Sequence, residues 1–309
     1  MYDLVIIGGG PAGLSAAIYS CRGGLNVVLI EKKFAGGQLL KANIIENYPG
    51  FPDGVPAIDL AENMRVHAES CGAEFRYGDV YKIQRLEDSF KIIMKDNILE
   101  TKSIIIATGR TPRSLEILNE DKFIGHGISY CATCDGAFFK NKCVAVVGGG
   151  NTAISDAIYL SSLCEKVFLI HRRDEFRAEK YLINKMYSLN NIKIVTNSVI
   201  TKLIGTDILS RIEINKSGIL ENINVSCLFI AIGYVPNTIF LDTLINLDKS
   251  GNILVDNRML TNVNGIFAAG DVIHKPLAQI ITSAAEGATA ANSAIEYVRT
   301  YLNTNTNSK

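Results

Sequence analysis

Two stretches of the chain share one order of hydrophobic and polar positions. In the first, an apolar run leads into three glycines at 8–10, apolar residues at helical spacing follow, and a second apolar run ends at Glu31. Residues 143–173 repeat this order, with glycines at 148–150 and a second run that ends at His171. Apolar runs bounded by turns are typical of strands, and the spacing between them is typical of a helix. Each stretch therefore predicts a strand, a glycine turn, a helix and a second strand.

The two stretches align with each other at a shift of 140 residues. The shift superposes the pairs Gly8 and Gly148, Gly10 and Gly150, and Gly13 and Ala153. In this context the first glycine allows the tight turn, the second lets the backbone approach a pyrophosphate, and the third lets helix and strand pack closely. The phosphates then meet the positive end of the helix. We therefore predict two dinucleotide sites.

The residues that end the second strand differ between the copies, and the difference bears on ligand choice. Glu31 offers a carboxylate to ribose hydroxyls and would repel a 2′-phosphate. The second copy instead has His171, Arg172 and Arg173, followed by Arg177, and guanidinium groups pair well with phosphate. The first copy is thus expected to bind a dinucleotide without a 2′-phosphate, and the second is expected to bind NADPH.

Further repeats set the predicted domain organisation. An apolar strand, a glycine turn and a proline recur at 103–113 and 227–237, and a third glycine segment, "GIFAAGDV", follows at 265–272. The strand patterns break at about 112 and 245. We predict an α/β fold of two Rossmann-like domains, each with three layers in the order β/β/α. The first comprises residues 1–112 and 245–309, and the second, residues 113–244, is inserted into it.

Composition narrows the classes of function. The chain of 309 residues has 31 basic and 31 acidic residues and is 48% hydrophobic. A balanced charge provides no field that would attract nucleic acid or an anionic membrane, and no run reaches the roughly 20 apolar residues of a membrane span. The N-terminal run lacks the basic start of a signal peptide. The seven cysteines form no disulfide framework, which favours a reducing compartment.

One cysteine pair stands apart because only two residues separate Cys131 from Cys134, and Asp135 follows directly. A structural zinc site needs a second close pair of ligands, which the other cysteines and the four histidines do not form. A permanent bridge over so short a loop would add little stability, and an inert dithiol is a further alternative. The pattern favours an exchanging redox pair at a helix start or tight turn, with Asp135 moving protons.

With these motifs the chain resembles the bacterial-type, low-molecular-weight thioredoxin reductases, which are class II pyridine nucleotide-disulfide oxidoreductases, over essentially its whole length. The matching motifs are GGGPAG at 8–13, GGQ at 36–38, ENYPG at 46–50, ATG at 107–109, CATCDG at 131–136, GGGNTA at 148–153, HRRDEFRA at 171–178 and AGD ending at Asp271. CATCDG in this position, ahead of the second glycine loop, is highly specific to the family.

The resemblance implies that electrons pass from NADPH in the second domain, through FAD in the first, to a Cys131–Cys134 disulfide and then to oxidised thioredoxin. By the same analogy, Cys134 faces the flavin, Cys131 attacks the substrate, and Asp135 donates and accepts the proton. Family members are cytoplasmic homodimers whose domains swing about the two crossovers. No metal is expected.

The candidate cofactor residues come from the motifs and the resemblance together. Those expected at FAD are Gly8, Gly10, Pro11, Ala12, Gly13, Glu31, Lys32, Gly36, Gly37, Gln38, Asn47, Val80, Ala107, Thr108, Gly109, Gly270, Asp271, Gln279 and Ile280. Those expected at NADPH are Gly150, Asn151, Thr152, Ala153, Asp156, His171, Arg172, Arg173, Arg177 and Gly233. One departure is plain, because the family usually has arginine before the glutamine near the flavin and this chain has Ala278. The substitution removes a charge and several hydrogen-bond donors from the expected flavin site.

Two other functions fit parts of the pattern. The same fold could reduce a different acceptor, such as a peroxiredoxin partner, ferredoxin or oxygen, but that route needs no dithiol. A nucleotide-binding redox sensor could use the cysteine pair to report thiol state and would show no flavin turnover. The presence of the pair favours the disulfide reductase over the reductase of another acceptor, and bleaching of a bound flavin by NADPH would argue against the sensor.

Overall fold

The computed structural model describes residues 1–42 and 44–306, and within these ranges the chain forms 19 strands and seven helices. The strands are β1 Tyr2–Ile7, β2 Val27–Glu31, β3 Ile44–Ile45, β4 Val55–Pro56, β5 Glu74–Tyr77, β6 Val80–Arg85, β7 Phe90–Met94, β8 Ile98–Ile106, β9 Arg110–Pro112, β10 Ile128–Ser129, β11 Cys143–Val147, β12 Lys166–Ile170, β13 Ile192–Val195, β14 Ser198–Gly205, β15 Leu209–Lys216, β16 Ile219–Asn224, β17 Cys227–Ile230, β18 Tyr234–Pro236 and β19 Ile266–Ala268. The helices are α1 Pro11–Arg22, α2 Ala57–Ser70, α3 Glu120–Phe123, α4 Ala132–Asp135, α5 Asn151–Ser161, α6 Lys180–Tyr187 and α7 Ile280–Thr306. None of the helices in these ranges has the length and apolar character to cross a membrane.

The chain divides into two compact units. The discontinuous unit comprises Met1–Thr111 and Val235–Lys309, and the inserted unit comprises Pro112–Tyr234. The chain leaves the inserted unit directly after Tyr234, whereas the sequence pattern placed that crossing at about 245. The difference arises from packing, because Leu241 and Ile245 are buried in the core of the discontinuous unit. A glycine and a proline mark the turn in the sequence, but burial decides to which core the next residues belong.

A seven-stranded sheet forms the centre of the discontinuous unit. Its strand order is β5-β2-β1-β8-β7-β6, and β19 pairs with the second half of β8. Strands β5, β2, β1, β8 and β19 run parallel, whereas β6 and β7 form an antiparallel extension. The register sets Ile6 opposite Leu29 and Ile105. These central strands read as unbroken apolar runs because parallel strands are covered on both faces.

Alternate residues of β1 enter two different cores. Leu4 and Ile6 pack with apolar residues of α1 and α7, while Val5 and Ile7 pack with residues of β6 and β7 and with the segment that begins near Leu241. This alternation follows from the two-residue period of a strand. The sheet of the discontinuous unit therefore has a helical layer on one face and strand and loop residues on the other.

The inserted unit repeats this plan. Its parallel sheet has the order β10-β17-β11-β12-β13, and β14, β15 and β16 form a separate antiparallel sheet. Val144 and Val146 of β11 pack with residues of α5 and α6, whereas Ala145 and Val147 pack with residues of β14 and β15. The unit thus has an antiparallel sheet, a parallel sheet and a helical layer, which confirms the predicted α/β fold with β/β/α layers.

The carboxyl ends of the parallel strands carry the segments with candidate chemistry. In open α/β sheets, ligands bind just outside these ends. In the discontinuous unit, the segments after β1, β2, β8 and β19 begin at Gly8, Lys32, Ala107 and Ala269. In the inserted unit, the segments after β10, β11, β12 and β17 begin at Tyr130, Gly148, His171 and Ala231. Nearly all the candidate residues of each unit therefore follow strands that end at one edge of its sheet.

Candidate functional site

The loop after β1 contains glycines that have no room for a side chain. Gly8 has a φ of +107°, and a Cβ there would clash with the carbonyl oxygen of Ala107. A Cβ at Gly13 would clash with the carbonyl oxygen of Gly8, so α1 packs closely on its own turn. Gly10, which caps α1, faces open space instead. The loop therefore presents bare backbone at the start of a helix, which suits a phosphate.

Glu31 supports this loop from the end of β2. Its Oε2 accepts a hydrogen bond from the Gly9 amide at 2.7 Å, and its Oε1 accepts one from the Lys33 amide at 3.0 Å. The Gly36 amide donates to the Gly9 carbonyl at 2.7 Å, so two segments hold the same glycine. Glu31 stays partly exposed, and a carboxylate has further lone pairs that can accept hydrogen bonds from a ribose.

Amide side chains of the predicted FAD set meet at the same edge of the sheet. Asn47 donates through Nδ2 to Oε1 of Gln279 at 3.1 Å, and Gln38 donates through Nε2 to the Arg110 carbonyl at 2.9 Å. These residues come from four separate parts of the sequence. The fold therefore brings together groups whose only common feature in the sequence was the family resemblance.

Sequence reasoning gave Asn237 no role, yet it fixes the ATG segment after β8. Its side-chain Nδ2 donates to the Thr108 carbonyl at 2.8 Å, and its backbone amide donates to the Gly109 carbonyl at 3.0 Å. The Thr108 hydroxyl donates to the backbone carbonyl of Asn237 at 2.8 Å, and the Thr111 hydroxyl donates to its side-chain Oδ1 at 2.9 Å. The repeated turn-and-proline pattern was the available signal, because it gives rise to strands β9 and β18, which pair with each other.

The remaining members of the FAD set also lie in the discontinuous unit. Lys32 pairs with Asp79 at 2.6 Å, next to Val80, which is buried at the start of β6. Pro11 and Ala12 form the first turn of α1, Gly37 begins a short 3-10 turn, and Ile280 begins α7. Every residue predicted to contact FAD thus belongs to one compact unit.

A buried lysine supplies positive charge beside Asp271. The Lys275 ammonium lies 3.1 Å from Oδ1 of Asp271 and 2.8 Å from Oε2 of Glu286, and its side chain is only 6% exposed. Glu286 also accepts a hydrogen bond from the Gly270 amide at 2.9 Å. The network fixes the turn after β19 and neutralises much of its negative charge. It lies in the same segment as Ala278, where the expected arginine is missing.

The loop after β11 has the same geometry as the loop after β1. Gly148 has a φ of +153°, and a Cβ there would clash with the carbonyl oxygen of Ala231. Gly150 caps α5 and faces open space. Ala153, which takes the place of the third glycine, is fully buried. A second bare stretch of backbone therefore precedes a second helix, as the repeat predicts.

His171 supports this second loop, as Glu31 supports the first. A Cβ on Gly149 would clash with the imidazole ring, so the ring packs directly against the loop backbone. The ring is buried, stacks on Phe176 with 5.3 Å between centroids, and forms a hydrogen bond through Nε2 with the Glu175 carbonyl at 3.1 Å. Burial lowers the pKa of His171, so the ring is neutral at pH 7.

Three arginines project from the segment that follows β12. Arg172, Arg173 and Arg177 are all exposed. In the part of the chain that the structure describes, none of the three forms an ion pair with a carboxylate. Their positive charge is therefore available to an anionic ligand at the carboxyl end of β12.

The arginine-bearing segment is fixed against the start of α5. Asn151 donates through Nδ2 to Oε1 of Glu179 at 3.0 Å and accepts from the Glu179 amide at 2.9 Å. The Arg177 amide donates to the Gly149 carbonyl at 2.8 Å. Thr152 is exposed in the same first turn of α5. The glycine loop and the arginines are thus held together by backbone and amide hydrogen bonds.

Two further candidates complete the set of the inserted unit. Asp156 lies on α5, and burial raises its pKa to about 6. Gly233 has a φ of +102°, and its carbonyl accepts a hydrogen bond from the Arg113 amide at 3.0 Å. Every residue predicted to contact NADPH therefore belongs to the inserted unit.

Cys131 and Cys134 are joined by a disulfide. Strand β10 leads into them, Cys131 caps the four-residue helix α4, and the Asp135 amide donates to the Cys131 carbonyl at 3.1 Å. Strands β10, β17 and β11 run parallel. The disulfide after β10 and the second glycine loop after β11 therefore lie at the same edge of the sheet. Both cysteines are partly exposed, and the other five cysteines are free. The helix start predicted at this motif is confirmed.

A buried carboxylate anchors the residue before the disulfide. The Tyr130 hydroxyl donates to Oε1 of Glu120 at 3.0 Å, and the Tyr130 carbonyl accepts from the Tyr234 hydroxyl at 2.8 Å. Glu120 is only 5% exposed and accepts further hydrogen bonds from Ser114 and Leu115. The segment is thus held by protein groups on both sides of its backbone.

No group of three or more potential metal ligands occurs within residues 1–42 and 44–306.

Fold and site together define a class of protein. Two units follow one α/β plan, each has a glycine loop of the dinucleotide-binding type, and one carries a disulfide at its ligand-binding edge. A nucleotide-dependent disulfide oxidoreductase has this construction.

The chain belongs to the pyridine nucleotide-disulphide oxidoreductase family, which matches residues 2–289. It is similar to the thioredoxin reductase of Mycoplasma genitalium, with 43% identity over 94% of this chain and 93% of that protein. The thioredoxin reductase of Treponema pallidum is 40% identical over 98% of this chain and 99% of its own length. The crystal structure of thioredoxin reductase from Streptococcus pyogenes MGAS5005 is similar with a TM-score of 0.92 and 39% identity, and the match covers 97% and 99% of the two chains. The chain is therefore a flavoprotein disulfide reductase that binds a flavin and a nicotinamide nucleotide.

Proposed function

We propose that the chain is an NADPH-dependent thioredoxin-disulfide reductase with FAD as its flavin. The main support is the Cys131–Cys134 disulfide, which lies at the same edge of the parallel sheet as the glycine loop of the inserted unit. Thioredoxin reductases with 43% and 40% identity over nearly the whole chain support thioredoxin as the disulfide substrate.

FAD fits the residues of the discontinuous unit. No side chain fills the space beside Gly10, so a pyrophosphate can approach the start of α1. Glu31 offers its carboxylate to an adenosine ribose and disfavours a 2′-phosphate. Asp271, held by Lys275, offers oxygen acceptors to hydroxyl groups of a ribityl chain. The proposal assigns FAD to the unit formed by residues 1–111 and 235–309.

NADPH fits the residues of the inserted unit. Gly150 leaves the same open space at the start of α5. Arg172, Arg173 and Arg177 carry exposed guanidinium groups that can pair with a 2′-phosphate. The residue at the position of Glu31 is His171, which is neutral and therefore does not repel a phosphate. The proposal assigns NADPH and the redox disulfide to residues 112–234.

The chemistry of the disulfide determines the roles of its neighbours. When bound, the flavin supplies two-electron transfer between the nicotinamide and a disulfide. Reduction of the Cys131–Cys134 bond takes up two electrons and two protons and yields two thiols. By analogy with the family, the Cys131 thiolate attacks one sulfur of the substrate disulfide, forms a mixed disulfide and releases the other sulfur as a thiolate.

The second half of the exchange restores the starting bond. The Cys134 thiolate attacks the Cys131 sulfur and releases the second substrate thiolate. By the same analogy we assign Asp135 as the group that accepts a proton from the attacking thiol and returns it to a leaving thiolate. Asp135 directly follows Cys134 in helix α4, which Cys131 caps.

Location and assembly belong to the same proposal. Five free cysteines fit a reducing compartment, and we propose the cytoplasm. The family resemblance implies a homodimer. Sedimentation of the flavin-loaded protein tests this, and a mass equal to one chain at micromolar concentration would contradict it.

A cysteine variant tests the reductase itself. The purified protein should be yellow, NADPH should bleach its flavin absorbance, and oxidised thioredoxin should restore it. Cys134→Ser should abolish thioredoxin turnover and keep NADPH-dependent dye reduction, whereas Cys71→Ser, at a free and partly exposed cysteine, should keep both. Thioredoxin turnover that survives Cys134→Ser would refute the proposal.

A further inference from the structure

We propose that Ser129 is a positioning residue for the thiol–disulfide exchange, because its hydroxyl links the Asp135 carboxylate to the Cys131 backbone and keeps that carboxylate ready to accept a proton. The inference rests on the proposed function, since it deepens the role assigned to Asp135.

The hydrogen bonds of Ser129 have one arrangement that satisfies all groups. Its Oγ lies 2.7 Å from Oδ2 of Asp135, 3.1 Å from the Cys131 amide nitrogen and 3.3 Å from the Cys131 carbonyl oxygen. A hydroxyl has one proton to donate. The carboxylate is both the nearer acceptor and the charged one, so the proton is directed to Asp135 and the oxygen accepts from the Cys131 amide.

The sheet fixes the position of this hydroxyl. Ser129 is the last residue of β10, is 5% exposed, and lies opposite Phe229 of β17 in a parallel register. Asp135, by contrast, ends the short helix α4 that carries the disulfide. The Ser129–Asp135 bond therefore joins the helix of the redox pair to a buried residue of the parallel sheet.

The surroundings of Asp135 make this one donor important. Burial raises the pKa of Asp135, and the hydrogen bond from Ser129 opposes that shift. Cys227 on β17 also faces the carboxylate, but burial raises the pKa of its thiol well above the usual range, so it stays neutral. The bonded Cys131 and Cys134 do not titrate. Among residues 1–42 and 44–306, Ser129 is the side chain that donates a hydrogen bond to Asp135 and no cation pairs with it.

Loss of the Ser129 hydroxyl should therefore change the pH at which Asp135 ionises. A half-buried carboxylate without its donor binds a proton more tightly, so the pKa of Asp135 rises further. A hydrogen bond to a charged group is typically strong enough to move a pKa by about one unit. Because the exchange needs the ionised carboxylate as a proton acceptor, the acid limb of the rate profile should shift to higher pH.

The experiment compares four variants of the flavin-loaded enzyme across pH 5 to 9. Ser129→Ala removes the hydroxyl, and Ser129→Thr keeps it. Ser129→Cys keeps a similar volume with a weak donor, and it shows the same direction of shift should the alanine variant not fold. Ser198→Ala is the matched control, because Ser198 is a 2% exposed serine of the same unit whose hydroxyl donates to the Thr196 carbonyl at 2.8 Å.

The expected result is specific to the proton step. In Ser129→Ala the acid limb of kcat for thioredoxin moves up by about one pH unit, with about a tenfold loss of kcat on that limb. KM for thioredoxin and the NADPH-driven bleaching of the flavin stay unchanged. Ser129→Thr and Ser198→Ala keep the wild-type profile. In an Asp135→Asn background the Ser129→Ala substitution has no further effect on the profile.

A readout without substrate separates this inference from the proposed function. The carboxyl band of Asp135 in infrared difference spectra, assigned by its loss in Asp135→Asn, should titrate about one unit higher in Ser129→Ala. An unchanged band, a kcat profile that superposes on wild type, or an equal shift in Ser198→Ala overturns the inference. A wild-type enzyme that never reduces thioredoxin overturns the proposed function instead, while the shifted band would still support the Ser129–Asp135 link.

Discussion

If the inserted unit binds NADPH as proposed, neutralising Arg172 and Arg173 should leave a site that hardly distinguishes NADPH from NADH. The double substitution Arg172→Gln and Arg173→Gln removes two positive charges and keeps polar side chains of comparable length. The loop backbone should persist, because Arg177 and Asn151 hold it through the Gly149 carbonyl and the Glu179 main chain. The perturbation therefore reports charge and hydrogen bonding rather than folding.

The magnitude follows from exposure. A hydrogen bond to a charged group contributes about 1.5 to 3 kcal/mol when it is well shielded, but both arginines are exposed, and solvent screening reduces such pairs to about 1 kcal/mol each. Neither arginine has to give up an ion pair with a carboxylate in the described part of the chain. Two such contacts amount to about 2 kcal/mol, or about a 30-fold loss of NADPH affinity.

The assay is the dissociation constant of each nucleotide for the flavin-loaded protein. NADPH should bind about 30-fold more weakly to the double variant, while NADH stays within about twofold. The loss should shrink at high salt, where exposed charges are screened. Arg211→Gln, at an exposed arginine on β15 of the same unit, should change neither constant. Equal weakening of NADPH and NADH would refute the assignment of these arginines to the 2′-phosphate.

Two further predictions concern buried charge. Lys275→Met should release flavin and lower the melting temperature. It removes the buried cation that Asp271 and Glu286 share and leaves Asp271 with the more distant Arg110, a change that typically costs about 3 kcal/mol. Lys275→Met combined with Glu286→Gln should recover part of the loss. Gel filtration with a melting curve measures both, and a Lys275→Met protein that retains its flavin contradicts the role of the network. Asp156→Asn should stabilise the nucleotide-free protein above pH 6 and have little effect near pH 4. Burial raises the folded pKa of Asp156 to about 6, whereas the unfolded value is about 3.9. The penalty for the buried charge therefore grows from about pH 4 and reaches its full value, about 3 kcal/mol, above pH 6. Melting curves at pH 4 and pH 8 measure the second effect, and an equal shift at both would show that charge is not its cause.

The two glycine loops could be predicted because their geometry depends on local features of the sequence. Gly8 and Gly148 have positive φ and no space for a Cβ, and no other residue type meets both conditions. The same reasoning placed the strands that end at Ile106 and Ile230, because buried parallel strands read as continuous apolar runs. The glycine pattern and the apolar runs are visible in the sequence alone, although the lack of space at Gly8 and Gly148 arises from the distant carbonyls of Ala107 and Ala231.

The support of the site could not be predicted, because it depends on contacts between distant residues. Asn237 and Thr108 are joined by hydrogen bonds although 129 positions separate them. Lys275 carries no periodic signal in the sequence, yet it is buried between two carboxylates. The inserted unit ends at Tyr234 and not near 245 for a related reason, since Leu241 joins the core of the discontinuous unit only through tertiary packing. Burial and pairing of single polar residues leave no pattern in one sequence.

The repeat also shows how one loop design can be supported by two different side chains. In both copies the residue that ends the second strand lies against the second glycine of the loop: Glu31 accepts a hydrogen bond from Gly9, and the His171 ring packs on Gly149. The supporting task is therefore shared, although the side chains have opposite ligand chemistry. A carboxylate performs it while presenting negative charge to a ribose, and a buried neutral imidazole performs it without charge. Because the support does not require an acid, a neutral residue can take this position in the second copy. Within residues 1–42 and 44–306, none of the three neighbouring arginines forms an ion pair with a carboxylate, so their charge is open to a phosphate.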